Sequence, residues 1–360
     1  MNNESGSQIH KLGLSDDETK HYKENKIEFN KKISQILKNS KAAAKKENCY
    51  ICNEPVSSFC NSHSIPQFSL KNITSNGKLF YSGQLIDDPY LNRDKGLNEA
   101  GTFNIICRSC DAEVFKHYEN PDNYNTAPTD KMLSQIAMKN YLKAISKREL
   151  EIQLYASIDF PLMDQTNSLD LKEYVNEFKY AKKACESKWN DHYFLSYYQT
   201  LDYVVPIAFQ SQLALISDFN NQTINNVYNH SPEYSLQNIH LCIFPLENQS
   251  VIIMFVKKGE NRYRQFLKQF HKLSLEEQLK ALNYIVFNYS EDVFLYKELD
   301  QNILNNPFLR ESAKQSTIVK SDSPIFDALD TAKNSFDLSK RDLVPNLLDK
   351  KYSISRTTLK

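Results

Sequence analysis

The chain has 360 residues and carries 44 Lys and Arg against 44 Asp and Glu, so its formal net charge is zero. This balance gives no long-range attraction to nucleic acid, and any such binding must come from local patches. The polar, lysine-rich residues 1–48 lack the apolar core of a signal peptide, and no apolar run approaches the roughly 20 residues of a membrane span. We therefore expect a cytoplasmic protein without a membrane partner, built from two domains or from one domain with substantial additions.

The first part of the chain predicts a tail followed by one long helix. Residues 1–17 have few apolar side chains, which is typical of a disordered tail. Over residues 17–46, apolar residues recur at spacings compatible with one helical face, with lysines elsewhere. The lysines of residues 38–46 could contact phosphates, although a solvated helix face is the simpler interpretation.

Two pairs of cysteines follow this helix, Cys49 with Cys52 and Cys107 with Cys110. A spacing of three residues lets a tight turn direct both sulfurs at one point, and two such pairs supply the four ligands of a tetrahedral zinc site. The total of seven cysteines is odd and three are scattered, which suits reduced thiols and a metal better than disulfides. The sequence therefore predicts one structural Zn²⁺ bound by the four paired cysteines.

Three polar residues near these pairs are candidates for chemistry. His63 lies in the segment Ser62-His63-Ser64-Ile65-Pro66, Asn104 precedes the second pair and Asp111 follows it. A neutral imidazole can take a proton from an attacking water, and carboxylate oxygens are the ligands that Mg²⁺ prefers. The Asn104 amide could orient the loop that carries His63. The structural alternatives are that His63 only packs inside a zinc fold and that Asn104 is a turn residue.

Together these residues resemble the zinc-stabilised HNH, or treble-clef, group of nucleases. In that group a CxxC knuckle is followed by a hairpin with the catalytic His, by an Asn and by a second CxxC that opens a helix. The resemblance covers about residues 45–120 and implies nucleic acid, DNA by preference, as the partner. It also implies Mg²⁺ or Mn²⁺ as a catalytic cation beside the structural zinc, with catalytic roles for His63, Asn104 and Asp111.

The motifs depart from that group at two positions. Ser62 stands where an acidic residue or His usually precedes the catalytic His, and Asp111 stands where His or Asn usually follows the last cysteine. The chain also resembles a little-characterised family of bacterial proteins that pair an SHxIP motif with a second motif, here residues 107–119. We therefore expect metal-dependent cleavage or binding of nucleic acid, with bacterial defence as the setting. The alternative is a non-catalytic zinc module for protein or nucleic-acid recognition.

The rest of the chain predicts a second domain of the α+β class. The polar residues 120–129 contain two prolines and form the candidate domain boundary, where we expect mild proteolysis to cut the chain. Helical and strand-like patterns then follow, with helices predicted over residues 130–145, 169–189, 262–273 and 274–288 and strands over residues 201–216, 238–244 and 250–257. Residues 245–249 join the last two strands as a hairpin, and Ser274 with Glu277 forms a capping-box-like start of the last helix. Earlier in the chain, Asn76-Gly77 indicates a turn. We assign residues 18–120 to a helix and the HNH-like module, residues 130–310 to a helix-plus-antiparallel-sheet domain that binds a protein partner, and residues 315–360 to a polar tail.

Overall fold

In a computed structural model of the protein, the described residues combine helices with one seven-stranded sheet and two strand pairs. The structure describes residues 8–9, 16–82, 85, 95–157, 164–231, 233–313, 319–320 and 327–355. The predicted α+β class is confirmed, and the four paired cysteines cluster in the N-terminal part of the chain. The predicted disordered tail lies outside the described residues, except for residues 8–9 and 16–17.

The helices are α1 (Asp16–Glu24), α2 (Lys26–Ala43), α3 (Gln67–Lys71), α4 (Arg108–Val114), α5 (Asp130–Ser157), α6 (Asp164–Glu186), α7 (Arg264–Phe270), α8 (Leu275–Tyr289), α9 (Gln301–Leu304), α10 (Pro307–Ala313) and α11 (Ala328–Ser335). The single helix predicted over residues 17–46 is divided at Asn25, whose side-chain amide donates to the carbonyl oxygen of His21 at 3.1 Å. The 28-residue helix α5 packs against both α2 and α6. Within the described ranges, no helix is long and apolar enough to cross a membrane.

The seven-stranded sheet has the order β4-β3-β10-β7-β8-β9-β6. Its strands are β3 (Lys78–Tyr81), β4 (Lys95–Gly96), β6 (Tyr193–Leu201), β7 (Ile207–Leu213), β8 (Ile239–Pro245), β9 (Ser250–Lys257) and β10 (Phe294–Leu295). Neighbouring strands pair antiparallel throughout. The two strand pairs are β1 (Gln8–Ile9) with β11 (Val319–Lys320) and β2 (Ser62–His63) with β5 (Thr102–Phe103).

Strands β8 and β9 of the sheet form a hairpin that the sequence predicted. Pro245 pairs with Ser250 across the turn, and Ile243 pairs with Ile252 further along. Every residue of β8 is buried, and so is every residue of β9 except Lys257. Such continuous apolar runs are typical of strands covered on both faces. The second helix after this hairpin, α8, also begins as predicted, because the Ser274 hydroxyl accepts a hydrogen bond from the Glu277 amide.

The sheet extends beyond the segment predicted to form the C-terminal domain. Strands β3 and β4 come from residues assigned to the HNH-like module, and β3 pairs with β10. The predicted turn before β3 is confirmed, since Asn76 and Gly77 both have positive φ, at 50° and 70°. The module and the sheet therefore share one hydrophobic core. The domain boundary at residues 120–129 stays a prediction.

The described end of the chain is packed rather than extended into solvent. Residues 327–355, part of the predicted polar tail, contain α11 and two short 3-10 helices, Leu338–Leu343 and Lys350–Tyr352. Val344, Leu347 and Leu348 are buried in the main core. These apolar residues follow no helical or strand periodicity, so the sequence pattern alone gave no sign that they are buried.

Candidate metal centre and histidine site

The four paired cysteines meet at one point in the fold. The Sγ atoms of Cys49, Cys52, Cys107 and Cys110 all lie within 4.8 Å of one another. Ligands about 2.3 Å from a tetrahedral ion are roughly 3.8 Å apart. The cluster is the one group of three or more His, Cys, Asp or Glu in the described part of the chain that has metal-binding spacing. A set of four soft thiols fits a metal such as zinc.

Local backbone geometry builds the first half of this cluster. The amide of Cys49 donates to the carbonyl oxygen of Glu54 at 2.9 Å, and the amide of Asn53 donates to the carbonyl oxygen of Cys49 at 2.8 Å. Asn53 has a φ of +60°, a left-handed conformation that Asn tolerates better than most residues. The chain therefore turns back on itself within a few residues, which brings the Cys52 thiol beside Cys49.

The second half of the cluster begins a helix. Cys107 is the N-cap of α4, and its Sγ accepts a hydrogen bond from the Cys110 amide at 3.4 Å. The Cys107 amide in turn donates to the Sγ of Cys49 at 3.3 Å, which joins the two halves. A further bond, from the Tyr50 amide to the Ile105 carbonyl oxygen at 2.9 Å, holds the two segments side by side.

Hydrogen bonds to sulfur favour ionisation of a thiol in this cluster, which a bound cation requires. Burial opposes ionisation of Cys49, but backbone amides, among them those of Cys52 and Cys107, outweigh it and lower the pKa of Cys49 to about 7. Burial and the neighbouring thiols raise the pKa of Cys110. Four thiolates held this close repel one another, so a bound cation is what allows all of them to ionise.

His63 has a fixed tautomer. It lies on β2, opposite Thr102 of β5, and its Nε2 is 3.0 Å from the carbonyl oxygen of Leu97. A carbonyl oxygen only accepts hydrogen bonds, so Nε2 carries the proton and Nδ1 keeps a free lone pair. Burial lowers the pKa of His63 below its usual value of 6.5. The ring is therefore neutral at pH 7, and its basic nitrogen is Nδ1.

Asp111 lies next to the strand that carries His63. The hydroxyl of Ser62, the residue before His63, donates to Asp111 Oδ1 at 2.6 Å. The ammonium of Lys139, on α5, contacts the same oxygen at 2.6 Å and also reaches Glu119 Oε1 at 3.0 Å. Burial raises the pKa of Glu119, and the Lys139 charge offsets part of this effect. The carboxylate of Asp111 is thus already engaged by two donors.

Asn104 contacts the chain just before His63 rather than the imidazole. Its amide donates to the Cys60 carbonyl oxygen at 3.0 Å and to Asn61 Oδ1 at 2.5 Å. The side chain is exposed. The three residues proposed from the resemblance therefore lie on one module, with Asn104 and Asp111 each touching residues that lead into His63. Their catalytic roles stay predictions.

Two contributors to this site were missed in the sequence, Leu97 and Lys139. Leu97 contributes only its carbonyl oxygen, and a sequence carries no signal for that. Lys139 did have a signal, because it lies three residues after Ile136 and seven after Met132, on the apolar face of a predicted helix. A lysine at such a position is rarely buried without a charged partner, and it indicates a buried ion pair.

Comparison of the chain with protein-family models, with curated proteins and with solved structures found no match.

Proposed function

We propose that residues 47–119 form a zinc-stabilised, HNH-like module that binds the phosphodiester backbone of nucleic acid. Three parts follow one another in treble-clef order: a cysteine knuckle, the short strand pair β2–β5 and the helix α4, which opens on the second cysteine pair. The observation that carries the proposal is the 2.6 Å hydrogen bond from Ser62 to Asp111. It joins the His63 strand to the start of α4, and so supports placing His63 beside the helix that the second cysteine pair opens.

Exposed polar groups beside the cysteine cluster supply the binding surface. Arg108 is exposed on the first turn of α4, and Asn104 is exposed on the segment that leads into it. A guanidinium can contact a phosphate through two parallel hydrogen bonds. Because the whole chain has no net charge, such binding is local, and it weakens steeply as salt concentration rises.

The test is fluorescence anisotropy of labelled single- and double-stranded oligonucleotides with zinc-loaded protein. We expect salt-dependent binding that Arg108→Ala weakens several-fold, with a shallower salt dependence. Arg264→Ala is the matched control, because Arg264 is also exposed but lies on α7. No binding at low salt, or equal losses from both substitutions, rejects this assignment of the surface.

Cleavage of the bound strand is the second candidate function, and the His63 tautomer favours it. A neutral ring with its Nε2 proton held by Leu97 presents Nδ1 as a general base, which typically contributes 10² to 10⁴ in rate. His63→Gln keeps a donor for Leu97 but has no basic nitrogen, so cleavage should fall by at least about 100-fold. The exposed His117 provides the control substitution, His117→Gln. Cleavage that persists in His63→Gln excludes this role.

The setting in bacterial defence, and a protein partner for the sheet domain, rest on the sequence alone and remain part of this proposal. A protein partner bound elsewhere on the chain should still bind when Arg108 is replaced, whereas nucleic-acid binding should weaken. Pull-down of the full chain and of the Arg108→Ala variant therefore separates the two kinds of partner.

A further inference from the structure

The HNH resemblance implies a divalent catalytic cation, and the groups around Asp111 show whether one fits. Carboxylate oxygens are the ligands that Mg²⁺ and Mn²⁺ need. Asp111 Oδ1 and Glu119 Oε1 do converge on a single point, at 2.6 and 3.0 Å from it. That point is occupied by the side-chain nitrogen of Lys139. The position suited to a cation is therefore already occupied by the ammonium group of Lys139.

The surroundings hold this ammonium in place. The Lys139 side chain is fully buried, and the ring of Phe115 lies beneath its nitrogen, with 4.0 Å to the ring centroid. An aromatic face attracts a positive charge but offers no oxygen ligand. Ser62 supplies a further donor to the Asp111 oxygen that Lys139 contacts. Lys139 Nζ therefore has carboxylates on one side and an aromatic ring on another. These groups suit an ammonium, but they do not provide the octahedron of oxygen ligands that Mg²⁺ demands.

Electrostatics also oppose a divalent ion beside Lys139. Two positive unit charges about 4 Å apart near a protein surface weaken binding by on the order of 1000-fold, and a divalent ion doubles the charge. A cation placed between Asp111 Oδ1 and Glu119 Oε1 would have to displace the lysine, which would leave a buried ammonium without its two carboxylate partners. Both outcomes are unfavourable, so the residues present do not fit the catalytic cation of the resemblance.

We infer that Lys139 is the resident cation of this site and that it excludes Mg²⁺ and Mn²⁺ from Asp111 and Glu119. The inference concerns the same residues as the proposed function and favours binding over metal-dependent cleavage. Its readout is metal binding, so it stands or falls independently of whether nucleic acid binds or is cleaved.

The experiment measures Mn²⁺ binding to zinc-loaded protein from the electron paramagnetic resonance signal of free Mn²⁺. Wild-type protein and the Asp111→Asn variant should bind Mn²⁺ to the same extent, because Asp111 is not a ligand in either. Lys139→Ala removes the charge and opens room for an ion with water ligands, so it should gain one Mn²⁺ site at least about 100-fold tighter than any in wild type. The matched double variant Lys139→Ala/Glu119→Gln should lose that site again.

Two results would overturn the inference. One is a Mn²⁺ site in wild-type protein that Asp111→Asn abolishes, because lysine and ion would then coexist. The other is a folded Lys139→Ala protein that binds Mn²⁺ no better than wild type. If Lys139→Ala does not fold, Lys139→Gln, which keeps a donor for the carboxylates, is measured with the same expectation. The wild-type comparison needs no lysine variant and tests the inference by itself.

Discussion

Removing one cysteine pair should destabilise the fold by an amount that can be worked out from chain length. Cys49 and Cys107, whose thiols the metal would join, are 58 residues apart. A cross-link that closes a loop of this length lowers the conformational entropy of the unfolded chain. At 25 °C this stabilises the folded state by about 4 kcal/mol. We therefore expect the double substitution Cys107→Ser/Cys110→Ser to lower the free energy of unfolding by about 4 kcal/mol or more, since the metal-ligand bonds are lost as well.

The assay is urea unfolding of the wild-type and variant proteins, with metal content measured on the same samples. Wild type should hold one zinc ion per chain and the double variant none. Cys60→Ser is the matched control, because Cys60 lies nearby but outside the cluster. Its Sγ donates to the Ile106 carbonyl oxygen at 3.3 Å, a bond that a serine hydroxyl can keep. This control should change the free energy of unfolding by less than about 1 kcal/mol.

Two results would refute the reasoning. If the double variant unfolds at the same urea concentration as Cys60→Ser, the four thiols do not cross-link the chain. If both wild type and variant lack zinc but differ in stability, the thiols act only by packing. A fall in stability that zinc chelation of wild type reproduces, and that added zinc reverses, is the pattern expected from a structural metal.

Three further predictions concern the sheet and the chain leading to it. Burial lowers the pKa of His240 from 6.5 to about 3, so His240 takes up a proton in the unfolded chain before it does so in the folded protein as the pH falls. The free energy of unfolding should therefore drop by about 2.5 kcal/mol from pH 7 to about pH 4.5. Urea unfolding of the His240→Phe variant should lack this drop. Asp130 accepts hydrogen bonds from two backbone amides at the start of β6, at 3.0 and 2.8 Å, so Asp130→Ala should lower the free energy of unfolding by about 2–3 kcal/mol, against less than about 0.5 for the exposed Asp122→Ala. Residues 120–129, predicted from sequence as a protease-sensitive boundary, contain the fully buried Tyr124, so limited proteolysis with mass spectrometry should find them protected.

Local patterns in the sequence were sufficient for the parts of the fold that local forces build. The two CxxC pairs, the Asn76-Gly77 turn and the Ser274 cap each depend on residues within four positions of one another. The hairpin of β8 and β9 belongs to the same class, since its strands are joined by a short turn. In each case the residue type fixes a backbone conformation or a ligand position directly.

Long-range pairing explains what the sequence did not reveal. Strand β3 pairs with β10, more than 200 residues later in the chain, so Tyr81 lies opposite Phe294. The short strands β4 and β10 have only two residues each, too few for an alternating pattern to be recognised. The buried residues near the C-terminus likewise lack periodicity, because they are in 3-10 turns and extended segments.

The histidine site shows why a motif alone does not determine chemistry. The motif places His63 and Asp111 within one module, but the charge that Asp111 presents depends on Lys139, which lies 28 residues further along on another helix. A free carboxylate would bind a divalent cation, whereas a carboxylate paired with a buried ammonium at 2.6 Å presents little net charge. Ser62 adds to this difference, because a hydroxyl replaces the acidic or His side chain that a cation would use. The buried Lys139 and the Ser62 hydroxyl both reduce the affinity of this site for a divalent cation, so within the proposed function binding is favoured over metal-dependent cleavage.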